Sequence, residues 1–294
     1  MARITVLDKD TRRKIKKLFT NPTALLGFFL LFFFSLVALL APFLAPQPME
    51  GIDPYIIPRQ GFLTEPQPPS GNAIFGTTEG QYDIYYAVVW GTRTAFKVGF
   101  VVVFFTTIIG MTVGACAGYY RGKVDELLMR ITDVFMSMPF LIAVIVLTTL
   151  LGKGLDKVVI ALIAFDWMDT ARLLRGNVLQ EREEEYVQAA KALGYSDLRI
   201  ILRHILPNTT FPVVIQASMR IGTLVVVASG LSFLGLGAPQ DYADWGQIIS
   251  YSRNWQGLEY WYTIFFPSLA MVLFVLSWNL IGDTLRDIFD PRMK

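Results

Sequence analysis

Uncharged apolar runs long enough to cross a bilayer constrain this chain more than anything else it contains. Four runs carry no Asp, Glu, Lys or Arg: Thr23–Ala45, Val98–Tyr119, Val134–Gly152 and Tyr260–Gly282. A helix needs about 20 such residues to cover a hydrocarbon core of about 30 Å. A fifth run, Phe211–Ala238, is interrupted only by Arg220, and a weaker sixth, Leu155–Ala171, holds Asp166 and Asp169. The hydrophobic share of 53% and the mean hydropathy of +0.46 agree with such a load. Short alternating segments of a closed barrel are absent from the pattern. These runs predict an all-α polytopic membrane protein with six transmembrane helices.

Charge placement predicts the orientation. With the N-terminus inside, the inner segments hold most of the 26 Lys+Arg residues: seven in the N-terminal tail, three after Tyr120, six in Arg172–Pro207 and three in the C-terminal tail. The outer segments hold only Arg59, Arg93, Lys153, Lys157 and Arg253. Basic residues concentrate on the cytoplasmic side, so both termini are expected there. The basic tail beside an apolar helix reads as a topology determinant in contact with membrane lipid rather than as a nucleic-acid site. The first run is too long, and followed by too many others, for a cleaved signal peptide.

Catalytic chemistry finds few candidates. Cys116 is the only cysteine and His204 the only histidine, so no zinc cluster, Cys–His pair or Ser–His–Asp set can be assembled. No Gly-x-x-x-x-Gly-Lys-Ser/Thr loop is present to cradle ATP. No catalytic residue, metal ligand or cofactor is expected in this chain.

The chain divides into a basic tail (1–22), a first span (23–45), an extracytoplasmic segment (46–94), a five-helix core (95–285) and a short tail (286–294). Seven of the 15 prolines lie in 46–94, which should be extended and irregular at first. Its aromatic stretch Tyr82–Trp90 suits either an interfacial helix or a plain loop with one short helix. Gly110, Gly114 and Gly118 share one face of the second span, for close packing inside the subunit or at a subunit interface. Tyr120–Thr132 reads as a short charged loop. Pro139 and Pro267 predict kinks or freed carbonyls. Asp166 and Asp169 lie three apart on one face. They line a transport pathway, or Asp169 pairs with Arg172 one turn on. Arg220 either snorkels or pairs structurally, or lines the pathway.

Between the runs Leu155–Ala171 and Phe211–Ala238 lies the longest polar insertion of the core, Arg172–Pro207. Glu181–Leu193 is rich in helix formers, acidic at its start and carries Lys191 near its end, matching the helix dipole. Gly194 is placed to end it in a left-handed conformation, and Ser196 or Asp197 to cap a second helix. Ala189 and Ala190 are small enough to enter a groove on a partner. An amphipathic loop on the inner membrane surface is the plainer alternative.

Here the sequence resembles the membrane subunits of ABC importers, whose loop carries Glu-Ala-Ala, three residues, Gly, nine residues, Ile, one residue, Leu-Pro. This chain has Gln188-Ala189-Ala190, Gly194, His204 and Leu206-Pro207 at that spacing, with Gln188 for Glu and His204 for Ile. Tyr186–Gly194, Leu231–Gly237 with Pro239 and Trp245-Gly246, and the tail Asn279–Asp283 with Asp290-Pro291-Arg292 resemble the dipeptide/oligopeptide/nickel permease branch. So do Phe75-Gly76-Thr77, Asp83 and Gly91-x-Arg93, although Gln81, Tyr82 and Tyr86 replace that pattern's usual Gly, Arg and Ser. The basic tail and a first span ending in Ala-Pro repeats resemble the C-type of two paired permeases.

The resemblance implies a type I importer permease fold and a half-channel paired with a homologous B-type permease. It also implies two ATPase subunits docked below and an extracytoplasmic substrate-binding protein. It assigns ATPase coupling to Glu185, Gln188, Ala189, Ala190, Leu193 and Gly194. Asp166, Asp169 and Arg220 are the pathway candidates. The implied cargo is a di- or oligopeptide, with nickel or an oligosaccharide as alternatives. Two readings from other classes are an ATP-independent transporter or channel using Asp166 and Asp169 as a proton relay, and a membrane-anchored assembly protein.

Overall fold

The computed structural model describes residues 21–47, 51–255 and 257–289. The basic tail up to residue 20 and the last five residues of the C-terminal tail lie outside the described residues. Twelve α-helices are described, joined in places by single tighter or wider turns, and no β-strand occurs among the described residues.

Helix α1 (Pro22–Leu44) starts where Asn21 caps it, its side-chain oxygen accepting from the Thr23 amide at 3.1 Å, with Pro22 in the first turn. At about 1.5 Å per residue its 23 residues reach about 35 Å, enough to span. Ala24, Gly27, Leu30 and Phe34 face the protein, while Phe29, Phe32, Leu39 and Phe43 are exposed as a lipid-facing side must be. Gly27 lets the helix lie on the last one; a Cβ there would stand 2.8 Å from the Leu280 Cβ.

Helix α2 (Ile84–Tyr120) has 37 residues. Asp83 caps it by accepting from the Tyr86 amide at 2.9 Å, and the left-handed backbone of Arg121 and Gly122 ends it. Tyr82–Trp90 is therefore not a plain loop with one short helix of its own. Most of it forms the first two turns of α2, with Tyr86 and Trp90 buried and the Trp90 indole donating to the Ala45 carbonyl at 2.9 Å. The expected boundary at residue 94 falls inside this helix.

The expected third span, Val134–Gly152, is not one helix. α3 (Gly122–Met136) and α4 (Phe140–Leu151) meet at an angle of 83°. Pro139 lacks an N–H and disfavours a helical Met138, so the ladder stops there. Tyr120–Thr132 is not a loop, since most of it is α3. The weak run Leu155–Ala171 is also broken, at Trp167, into α5 (Leu155–Asp166) and α6 (Met168–Glu181). Among the described residues, four single helices are long and apolar enough to cross a membrane, five with the bent pair. After the loop come α7 (Glu185–Ala192), α8 (Asp197–Ile200), a wide turn Ile201–Ile205 and α9 (Leu206–Thr209). The fifth run is α10 (Phe211–Phe233), the short α11 (Trp245–Ser250) follows, and α12 (Trp261–Phe289) passes through Pro267 unbroken.

The main core joins α1, α2, α5, α10 and α12 through Phe34, Val98, Leu162, Leu224 and Phe274. A cap at the N-terminal end of α2 combines residues 51–83 with 234–255 and 257–260. Ile57 donates to Asp241 and Ala243 to Tyr55, each at 2.7 Å. Trp245 plugs this cap into the bundle, its indole donating to the Val88 carbonyl at 3.1 Å. A Cβ on Gly246 would come within 1.9 Å of the Ser229 carbonyl oxygen, so only glycine fits.

Candidate functional site

The Arg172–Pro207 segment packs at the C-terminal end of α2, remote from the cap because α2 is about 55 Å long. Its position depends on the glycine face of α2. Added Cβ atoms would stand 2.6 Å from the Trp167 oxygen at Gly110, 2.4 Å from the Ala171 oxygen at Gly114 and 2.8 Å from the Val178 Cβ at Gly118. The series is thus an internal seat for α6, the helix that leads into the loop. On its other side α6 is tied to α3 by ions. Arg175 makes a two-pronged pair with Asp125 at 2.5 and 2.6 Å, and Arg172 pairs with Asp133 at 2.5 Å. The expected Asp169–Arg172 pair does not form, because the fold turns Arg172 toward α3.

The hairpin differs in detail from its expected form. Helix α7 begins at Glu185 rather than Glu181, since Glu181 closes α6 and residues 182–184 make the turn between them. Gln188 secures that turn by donating to the Arg182 carbonyl at 2.8 Å. Gly194 adopts φ +76° and ends α7, with the Tyr195 amide donating to the Ala190 carbonyl at 3.2 Å. Ser196 occupies the cap position of α8 without a side-chain bond. Asp197 instead accepts from the Tyr119 hydroxyl at 2.7 Å.

The two alanines take opposite sides. Ala190 is buried with Val187 against Leu174, Val178, Ile200 and Ile205, so it holds the hairpin together and is not offered to a partner. Ala189 is exposed, with Glu185, Gln188, Leu193 and Gly194. Leu193 is 72% exposed, Leu198 66% and Leu202 54%, a concentration of apolar surface on an otherwise polar segment.

Tyr119 is the hub that sequence reading missed. Its carbonyl accepts from Arg182, and its ring carries Lys191 at 5.0 Å. Its partners lie some 60 to 80 residues away, so nothing local marks it. Tyr186 is a second such residue. Its hydroxyl donates to Glu181 and accepts from the Asn208 amide at 2.7 Å. Burial first, and then Glu181, push its phenol above the ordinary range. His204, which stands where the resembled loop has Ile, stacks on Tyr195 at 6.0 Å.

Asp166, Asp169 and Arg220 meet. Arg220 of α10 lies 2.9 Å from Asp166, the last residue of α5, and pairs directly with Asp169 in the first turn of α6. Asp166 is buried and Asp169 half-exposed. Arg220 does not merely snorkel: it bridges the helices on either side of the loop. Cys116 is half-buried within α2.

Residues 110–294 match the model of the binding-protein-dependent transport system inner membrane component. Residues 11–69 match the N-terminal TM domain of oligopeptide transport permease C. The chain is 37% identical to a dipeptide transport system permease protein, DppC, of Alkalihalophilus pseudofirmus, over 96% of this chain and 90% of that one. It is 34% identical to DppC of Bacillus subtilis, over 97% of this chain and 86% of the other. A glutathione transport system permease protein, GsiD, of Pectobacterium atrosepticum is 36% identical over 91% and 86%. The fold is similar to that of a chain in the MetNI methionine ABC transporter in an inward-facing conformation. The TM-score is 0.56 at 21% identity, over 69% of this chain and 96% of that one. With the loop spacing and the helical bundle behind it, this chain belongs to the binding-protein-dependent inner membrane components, the permease subunits of ABC importers.

Proposed function

We propose that the protein is one of two permease subunits of an ATP-driven importer of short peptides. It crosses the membrane six times, the bent α3–α4 pair and α5–α6 supplying the third and fourth crossings, with both termini cytoplasmic. The segment Arg172–Pro207 couples it to an ATPase subunit, a second permease completes the pathway, and an extracytoplasmic binding protein delivers the cargo.

One observation carries this reading: an exposed apolar face on a polar hairpin that is itself rigidly mounted. Val187 and Ala190 anchor α7 inward, leaving Ala189, Leu193, Leu198 and Leu202 outward. Such a patch on a polar surface marks an interaction site. Movement of a docked ATPase reaches α6 through α7, and α6 carries it to α2 along the glycine face. Arg220 ties α10 to the same motion and lines the pathway with Asp166 and Asp169. The peptide cargo follows from the relatives named for dipeptide transport. No bond is made or broken in this chain; the helices rock between two access states as packed bodies.

The test uses Ala189→Arg and Leu193→Arg in the complete transporter reconstituted into vesicles. Both side chains are exposed, so insertion and thermal midpoint should match wild type while ATP-dependent dipeptide uptake falls at least tenfold. Wild-type uptake by both variants would exclude this face as the coupling surface.

A further inference from the structure

The cap holds a cleft of about 620 Å³ between residues 59–64 and 79–82 on one side and 240–254 on the other. That volume lies within the range of small-molecule sites, about 300–1,000 Å³. It opens at the end of α2 opposite the coupling hairpin.

Its walls are fixed. Arg59 and Tyr82 pair across the backbone, and the Gln60 amide donates to the Gln81 carbonyl at 2.8 Å. Tyr82 stacks on Tyr251 at 5.2 Å, tying the two sides together. Between the lining residues Gly80 and Tyr82, Gln81 is held at φ +62°, a left-handed conformation that non-glycine residues rarely adopt. Its side chain is pinned by donation to the Glu65 carbonyl at 2.5 Å. Strain of this kind gathers at functional sites.

Charges of both signs line the cleft: Arg59, Glu79 and Arg253, the last with its guanidinium 4.2 Å above the Phe233 ring. The Arg59 guanidinium lies 4.5 Å above the Tyr82 ring and gives one N–H to the Tyr82 hydroxyl. Among the described residues no carboxylate stands within ion-pair distance of it. A guanidinium braced on an aromatic ring is set to take a carboxylate in its fork. Glu79 accepts from the Trp255 indole at 3.0 Å and the Asn254 amide at 3.4 Å. Gln240, Ser250 and Asn254 add hydrogen-bonding side chains to the lining. Phe62, 98% exposed, and Leu63 supply apolar surface at the same cleft.

We propose that this cleft binds a short zwitterionic peptide, its C-terminal carboxylate on Arg59 and its N-terminal ammonium on Glu79, as a way station before the pathway. The inference rests on the peptide reading of the cargo. It adds a permease site that selects free termini independently of the binding protein.

The test measures equilibrium binding of radiolabelled Ala-Phe to the complete transporter in nanodiscs without binding protein. Arg59→Gln and Glu79→Gln should each weaken binding at least tenfold with thermal midpoints unchanged. The C-terminal amide of Ala-Phe should bind wild type no better than it binds Arg59→Gln. Wild-type affinity in both variants overturns the site, as does an undetectable wild-type interaction in a transporter that imports Ala-Phe. If the variants instead weaken docking of the binding protein and leave Ala-Phe binding intact, the cleft receives that protein and the proposal fails. A transporter that imports no peptide with ATP and binding protein present overturns the cargo reading, and this inference with it.

Discussion

Replacing Gly114 by alanine puts a methyl group where α2 and α6 touch through backbone. The new Cβ would stand 2.4 Å from the Ala171 carbonyl oxygen and 3.1 Å from the Arg175 amide nitrogen. Ordinary contact begins near 3.4 Å, so α6 must retreat by about 1 Å at this point. Neither obstructing atom belongs to a side chain that can rotate away. Overpacking of this kind costs about 1–3 kcal/mol, and the better helix propensity of alanine returns up to about 1 kcal/mol. A net loss of about 1–2 kcal/mol is expected. Gly176 is the internal control. It lies on α6, is exposed, and has no atom within 4 Å of an added Cβ. Gly176→Ala should therefore gain up to about 1 kcal/mol. The two substitutions are chemically identical and should move the thermal midpoint of the purified transporter in opposite directions. Gly114→Ala should also lower uptake per ATP hydrolysed, because a displaced α6 no longer transmits loop motion to α2. If Gly114→Ala is as stable as wild type, the two helices do not pack through this face and the seating of the hairpin is wrong.

Three further outcomes follow from the same geometry. Arg220→Gln leaves Asp166 buried without its cation, a change that costs about 3–5 kcal/mol, and adding Asp166→Asn should recover most of the lost midpoint; a double variant no better than the single one would deny the pairing. Gly246→Ala cannot be accommodated at 1.9 Å from the Ser229 oxygen, so its yield of folded protein should collapse, whereas Gly71→Ala, with open space around it, should express normally. Burial pushes Asp244 up to about 6, from an unfolded value near 3.8. A raised carboxyl pKa contributes stability that is full below about 4 and is lost as pH rises through about 6, a difference of at most about 3 kcal/mol. Asp244→Asn should therefore narrow the stability gap between pH 4.5 and 7.5, and an unchanged gap would show that Asp244 is ionised throughout.

The departures from sequence expectation share one physical origin. Arg172 was expected to pair with Asp169, one turn away, yet it takes Asp133 across a helix interface while Arg220 takes Asp169. Ala190 and Ala189 are indistinguishable in sequence, but the second faces out because the first faces the Leu174–Ile205 cluster. Val134–Gly152 satisfies the length and hydropathy of a span, and only the 83° turn at Pro139 shows that its first residues belong to another helix.

What the sequence determined by itself was local. Run length at fixed helical rise sets α1, α10, α12 and the C-terminal part of α2, residue type at Gly194 sets where α7 stops, and loop spacing gives the family. These depend on hydrogen bonds and solvent transfer within a few residues. What only the tertiary structure decided is which face meets which: the glycine face of α2 seated on α6, the Arg220 bridge, the Tyr119 hub, and the cleft between residues 59–82 and 240–254. Each joins atoms distant along the chain. Such pairings are fixed by close packing and by the cost of burying an unpaired charge, quantities that exist only once the helices are placed.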